Sequence, residues 1–297
     1  MVKIIFKFLV MVFIAGCAVK PTTKESVKDT AKDTAADTAK PVVSEAEASP
    51  TVTPHLPAPV KVLPKIALIF SGGGAKAWAH IGVIKEIEKS KWPIHSVGGF
   101  EWGAVVAASY ATNLSSNEIE WQLSKVKDFQ NVEEIGNMLF EKKSVSDLKI
   151  PFVCPSLNIS KQIIYLLNRG QLNKLIPFCL AQPPLSRPYS QSVAEMNDIA
   201  GLAQHLRATG ANKIVLINVL SQNTKRSFLE DYLSSDNILW VESAALMAKK
   251  ISGVDDTVNI NLDNYGIKDI DKKREIIAKG AELGYDEVKK LTIKYGL

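Results

Sequence analysis

The chain has little net charge, few cysteines and no apolar run long enough to cross a bilayer, and each absence excludes something. The formal charge is +5. Lys3 and Lys7 belong to an N-terminal leader, and residues 18–64 carry equal numbers of acids and bases, which leaves about +3 on residues 65–297. So mild a balance argues for neither nucleic acid nor a strong anionic-lipid patch as partner. Of the three cysteines, Cys154 in PFVCP and Cys179 in PFCLA lie among apolar residues, at a spacing unlike a metal site. They are either a pair formed in an oxidising compartment or two buried thiols, and the sequence leaves that open. The run Phe8 to Ala15 is far shorter than the roughly 20 residues of a membrane span. With its basic start it has the layout of a secretory signal.

The end of that signal is more informative than its run. Ile14-Ala15-Gly16-Cys17 resembles a bacterial lipobox, in which cleavage leaves Cys17 as the lipidated first residue. Small residues admit the peptidase, and the thiol accepts the diacylglycerol. Several acyl chains hold a protein to a bilayer far more firmly than one. Ala18-Val19, rather than an Asp, follow the cysteine. This resembles lipoproteins exported to the outer membrane, facing the periplasm. Residues 18–64 contain no Trp, Tyr or Phe and include the degenerate repeat KDTAKDTAADTAK. They have too little apolar surface to offset ordering and are read as a disordered tether. The expected organisation is therefore signal and lipobox over 1–17, tether over 18–64 and one domain over 65–297.

That domain alternates strand and helix patterns. Ile66 to Phe70 is a buried-strand run that stops at Ser71-Gly72-Gly73-Gly74; Ala75 to Lys89 reads as a helix with Ile81, Ile84 and Ile87 on one face. Ile94 to Val97 is a second strand, followed by a small-residue helix from Gly103 to Ala111. Ser115 and Glu118 form the pattern of a capping box opening a helix with Trp121. Further strands are expected at 150–154, 163–168, 213–219 and 258–262, with a helix through Leu202 to Leu206. A closing helix from Asp271 to Tyr295 is expected to break near Gly284. Alternation of this kind predicts an α/β fold: a mostly parallel sheet covered on both faces.

Between the second strand and its helix stands Gly99-Phe100-Glu101-Trp102-Gly103, the frame G-x-S-x-G with glutamate in place of serine. Together with GGGAKA at 72–77, AHIGVI at 79–84, DLKIPFV at 147–153, GANKIVLINV at 210–219 and the C-terminal segment from Lys273, it resembles the bacterial patatin-like phospholipases. The Gly-rich loop lacks the G-x-G-x-x-G spacing of a dinucleotide site. The resemblance implies a patatin-like three-layer fold with a mostly parallel central sheet between helices. It implies a lipid acyl hydrolase built on a Ser-Asp dyad, without metal or cofactor. The glycine N–H groups of Gly72, Gly73 and Gly74 would hold the oxyanion, and Lys76 stands where the family has a basic residue that steadies that loop.

Neither dyad member carries over. Glu101 fills the serine slot. The aspartate slot falls on Ala194, and the chain holds no Asp-Gly pair. Glu195 is one position off and Asp198 four. A carboxylate attacking an ester would form an anhydride and have to expel a far more basic alkoxide, so the step runs backwards. Three roles remain for Glu101: a cap or solvated turn residue, a plug holding the oxyanion donors, or an unconventional nucleophile or general base. His80, Trp78 and Trp102 are expected to be packing residues. The sequence thus predicts a degenerate homologue that binds a lipid or acyl ligand, or a protein, at the membrane, without nucleic acid. The alternative is an acyl hydrolase working through Glu101.

Overall fold

The computed structural model describes residues 63–221 and 238–297, so the signal, lipobox and tether lie outside the described residues. The centre of the fold is β1 (Ile66–Phe70), whose five residues, IALIF, are all buried. It is flanked by β2 (Ile94–Gly99) and β6 (Lys213–Ser221), both parallel to it, with β3 (Phe152–Asn158) beside β2 and β7 (Asp256–Asn261) beside β6, again parallel. Beyond β3 the sheet turns antiparallel, through β4 (Ile163–Leu167) and the short β5 (Ser192–Ala194), which both pair with β3. The path is β4-β3-β2-β1-β6-β7. This is the expected α/β architecture, a mostly parallel sheet flanked by helices. Strands buried on both faces explain the continuous apolar runs.

The helices are α1 (Ala79–Lys89), α2 (Trp102–Asn113), α3 (Ser116–Ser124), α4 (Val132–Phe140), α5 (Leu172–Leu180), α6 (Ile199–Ala208), α7 (Ile238–Met247) and α8 (Lys273–Tyr295). Three expectations need correction. The helix expected from Ala75 starts as a separate 3-10 turn over Gly74–Trp78, because Ala75 N–H donates to Ile267 O and the chain must first leave the glycine loop. The capping box at Ser115 is half a box: its Oγ accepts from Glu118 N–H, while Ser116 is bound by Glu88 from α1. The closing helix runs unbroken through Gly284, whose missing side chain makes room for Val83 of α1. Cys154 of β3 and Cys179 of α5 are joined in a disulfide, Cα–Cα 6.0 Å, which closes the alternative left open by the sequence.

The register Phe70↔Gly99 sets the carboxyl ends of β1 and β2 level. The loop after β1 and the turn after β2 therefore meet, at the end of a parallel sheet where open α/β folds place their sites.

Candidate active site

Two glycines of the elbow frame are required by backbone contact. A Cβ on Gly103 would overlap the carbonyl oxygens of Phe70 and Ser71, and one on Gly99 would overlap Gly103 itself. Phe100 N–H donates to Phe70 O at 3.0 Å, tying the turn to the end of β1. Between them Glu101 has φ 51° and ψ −125°, outside the regions open to most side chains. Such a residue persists at a cost of order 1–3 kcal/mol because its surroundings fix it. Here Glu101 N–H donates to Cys179 O at 3.1 Å, so the disulfide-linked end of α5 holds the turn.

The side chain of Glu101 is wholly buried and points across to the glycine loop. Its Oε2 accepts from Gly73 N–H at 3.1 Å and from Gly74 N–H at 3.0 Å. Oε1 is buried and has no hydrogen-bond partner among the described residues. Burial pushes the carboxyl up from 4.5 to about 7, against the pull of the Trp102, Gly74 and Gly73 N–H groups towards the charged form. The side chain is not solvated, so a solvated turn residue is excluded, and both of its short hydrogen bonds run to the glycine loop. The two N–H groups to which the resemblance would assign an oxyanion donate instead to the carboxyl of Glu101 in the same chain.

The loop is fixed from several sides. Ser71 N–H donates to Ile217 O at 3.1 Å, and Ser71 Oγ accepts from Val219 N–H at 3.0 Å. Ser71 O is bonded to His80 Nε2 at 2.8 Å. That contact requires the proton on Nε2, and burial drives the imidazole down from 6.5 to about 4 despite the bond to Ser71. His80 is thus a neutral buried ring set edge-on to Phe70, a packing residue that also pins the loop. Gly74 (φ 54°) passes so close to Ile267 O that a Cβ would overlap it. Lys76 is buried, its N–H donates to Gly73 O at 3.0 Å, and its charge reaches Asp269. Trp78 and Trp102 pack at a tilt of 49° in the core, their ring centroids 4.9 Å apart.

Ala194 lies in β5 and offers only a methyl group; its N–H donates to Ala181 O at 2.7 Å, two residues beyond the carbonyl that holds Glu101. The two nearby acids are engaged elsewhere. Asp198 caps α6 through Gly201 N–H at 2.9 Å, and Glu195 accepts from Asn197 N–H at 2.8 Å. Against the loop lies Met196, which nothing in the sequence singled out. A Cβ placed on Gly72 would be 2.9 Å from its sulfur and 3.2 Å from Glu101 Cβ. An apolar thioether thus fills space beside the elbow. Its only sequence signal is its place two residues after Ala194.

Comparison with known proteins gives a family match over residues 68–212, to the patatin-like phospholipases. Patatin-like phospholipase domain-containing protein 6 of Homo sapiens is 26% identical over 205 residues, covering 59% of this chain and 15% of that protein. Neuropathy target esterase sws of Drosophila melanogaster is 25% identical over 187 residues, covering 53% of this chain and 13% of the relative. The chain therefore matches only a small part of the length of these relatives. Among solved structures, VipD from Legionella pneumophila aligns with a TM-score of 0.46 at 12% identity, over 79% of this chain and 67% of that one. The type III effector protein ExoU aligns with a TM-score of 0.42 at 12% identity, over 77% and 54%.

Proposed function

Because the chain carries a patatin-like phospholipase domain, we propose that it is a catalytically degenerate homologue of those lipid hydrolases. It would be anchored through Cys17 to the cell envelope, at the outer membrane facing the periplasm, and act there as a lipid-binding or protein-interaction module. The observation that carries the loss of catalysis is the pair of bonds from Gly73 and Gly74 N–H to Glu101 Oε2. Each donor of an oxyanion hole is worth on the order of 10²–10³ in rate. With both occupied, no serine at the elbow and a methyl group at Ala194, nucleophile, base and electrostatic stabilisation are missing together.

One observation favours a second reading. A carboxyl brought to about 7 is half-ionised near neutrality, as a general base for water should be. On that reading the protein is an acyl hydrolase with Glu101 as its base. It must then release the two glycine donors each time an ester carbonyl binds.

Ester hydrolysis by the purified, detergent-solubilised chain separates the two. Short-chain acyl esters and phospholipid vesicles would be offered to the natural protein, to Glu101→Gln, to Glu101→Ser and to Glu101→Ser with Ala194→Asp. The degenerate reading expects an inert natural protein and measurable turnover in the double variant. Turnover by the natural protein that Glu101→Gln abolishes would overturn it in favour of the base.

A further inference from the structure

The mild net charge of the domain conceals an uneven distribution. Residues 148–194 contain five basic side chains, Lys149, Lys161, Arg169, Lys174 and Arg187, and no acidic one. This stretch forms β3, β4, α5 and β5, one end of the sheet. Lys174 is satisfied by Glu133 at 3.8 Å, and Lys149 donates to Asn113 O at 3.0 Å. Lys161, Arg169 and Arg187 are exposed and form no ion pair among the described residues.

The same end exposes apolar side chains. Every residue from Ile159 to Tyr165 is exposed, across the β3–β4 turn and into the edge strand. Ile159 and Ile163 are each 47% exposed, and Ile164 and Tyr165 are each 41%. A strand half-buried on a core alternates its faces, so only every second residue meets solvent. Ile163 and Ile164 point to opposite faces and are both open, so this half of β4 projects beyond the body with apolar side chains on each side. The projection is held firmly. Ile159 N–H donates to Gln191 O at 2.8 Å, Ser160 Oγ to Gln191 Oε1 at 2.7 Å, and Lys161 N–H to Asn158 Oδ1 at 2.9 Å. Beside it a cavity of about 240 Å³ is lined by Lys161, Tyr165, Leu167 and Phe178 among others.

We propose that the β3–β4 hairpin docks on an anionic phospholipid bilayer, its isoleucines and Tyr165 entering the interface while Lys161 and Arg187 meet the headgroups. A two-sided apolar projection matches a solvent that surrounds it. An added strand would use only the backbone edge of β4 and leave both faces of isoleucine in water. The stretch 148–194 contributes bases and no acid of its own, though Asp147 and Glu195 bound it, so the excess of charge on this segment is positive and favours an anionic surface. Tyr165, with an apolar body and a polar tip, suits the boundary between them. The expected acylation at Cys17 would keep the domain within reach of such a surface. The inference is independent of Glu101: the ester assay tests one and lipid binding the other.

The test is hydrogen exchange of the full chain, read at residues 159–167, in buffer, with phosphatidylcholine vesicles and with vesicles that also contain phosphatidylglycerol. The docking surface predicts exchange slowed about ten-fold or more on the anionic vesicles only. That protection should be lost in Lys161→Glu with Arg187→Glu and in Ile163→Asn with Ile164→Asn, and retained in the distant exposed variant Ile293→Asn. All five positions are solvent-exposed, and folding of each variant is checked by its unfolding midpoint. Unchanged exchange on anionic vesicles would overturn the proposal. So would equal protection on both vesicle types, or protection that grows with protein concentration without vesicles, which would mark a second copy pairing along β4.

Discussion

Glu101 and His80 are both wholly buried against the loop after β1, Glu101 on the N–H groups of Gly73 and Gly74 and His80 on the carbonyl of Ser71, and they respond to pH in opposite senses. The carboxyl is raised from 4.5 to about 7 by burial. Its contribution to stability is fully present below 4.5 and is lost as pH rises through 7. The imidazole is lowered from 6.5 to about 4, again by burial. Its contribution is present above 6.5 and is lost as pH falls through 4. Each change corresponds to roughly 3 kcal/mol, so between pH 4.5 and 6.5 the two slopes nearly cancel. Urea unfolding across pH should therefore show a flat profile from this pair in the natural protein. Glu101→Gln should uncover stability that rises with pH, and His80→Gln stability that falls. Glu101→Ala strands two buried N–H donors, at about 1–3 kcal/mol each. An unchanged melting temperature for that variant would count against the carboxylate as a plug. The identity of Glu101 was legible in the sequence, but its burial and partners were not: a turn residue is solvated or sealed according to what packs above it, here Met196 and the loop through Ile267.

Between elements, the contact of α1 with α8 brings backbone against backbone at two of its glycines. A Cβ on Gly82 would overlap Ile277 O, and one on Gly280 would overlap Ala79 O. Glycine to alanine inside a free helix gains about 1 kcal/mol. At this crossing, overlap with backbone outweighs that gain, since overpacking typically costs 1–3 kcal/mol. Gly82→Ala and Gly280→Ala should each lower the unfolding free energy by about 1–2 kcal/mol, measured by denaturant titration. The disulfide between Cys154 and Cys179 links β3 to α5 across a sequence separation of 25. Closing such a loop is worth about 3 kcal/mol, so reduction should lower the unfolding midpoint while leaving the helical circular dichroism signal in place. Elements with strong periodicity, such as β1, β6 and α1, could be placed from sequence to within a few residues. α4, α5 and β5 could not. The last is three residues long and exists only because β3 offers an edge.

For the whole molecule, the proposed anchoring makes a direct prediction. A radiolabelled fatty acid fed to cells should appear in the natural protein and not in Cys17→Ala. Charge at this scale behaves differently from charge by region. The sum for the domain is small, yet residues 148–194 are purely basic. Summation over a chain says nothing of which side chains the fold gathers on one end.

Residue types and near spacing were enough to place the alternation of strands and helices, the glycine loop, and an elbow frame with glutamate at its centre and alanine at position 194. These depend on residue type and near spacing, which local chemistry constrains. Tertiary structure alone decided that Cys154 meets Cys179, that Gly284 is a packing site rather than a break, and that Glu101 reaches across to Gly73 and Gly74. Each of these depends on distances between segments remote in the chain. Those distances are set by strand register and by close backbone packing, which no short stretch of sequence encodes.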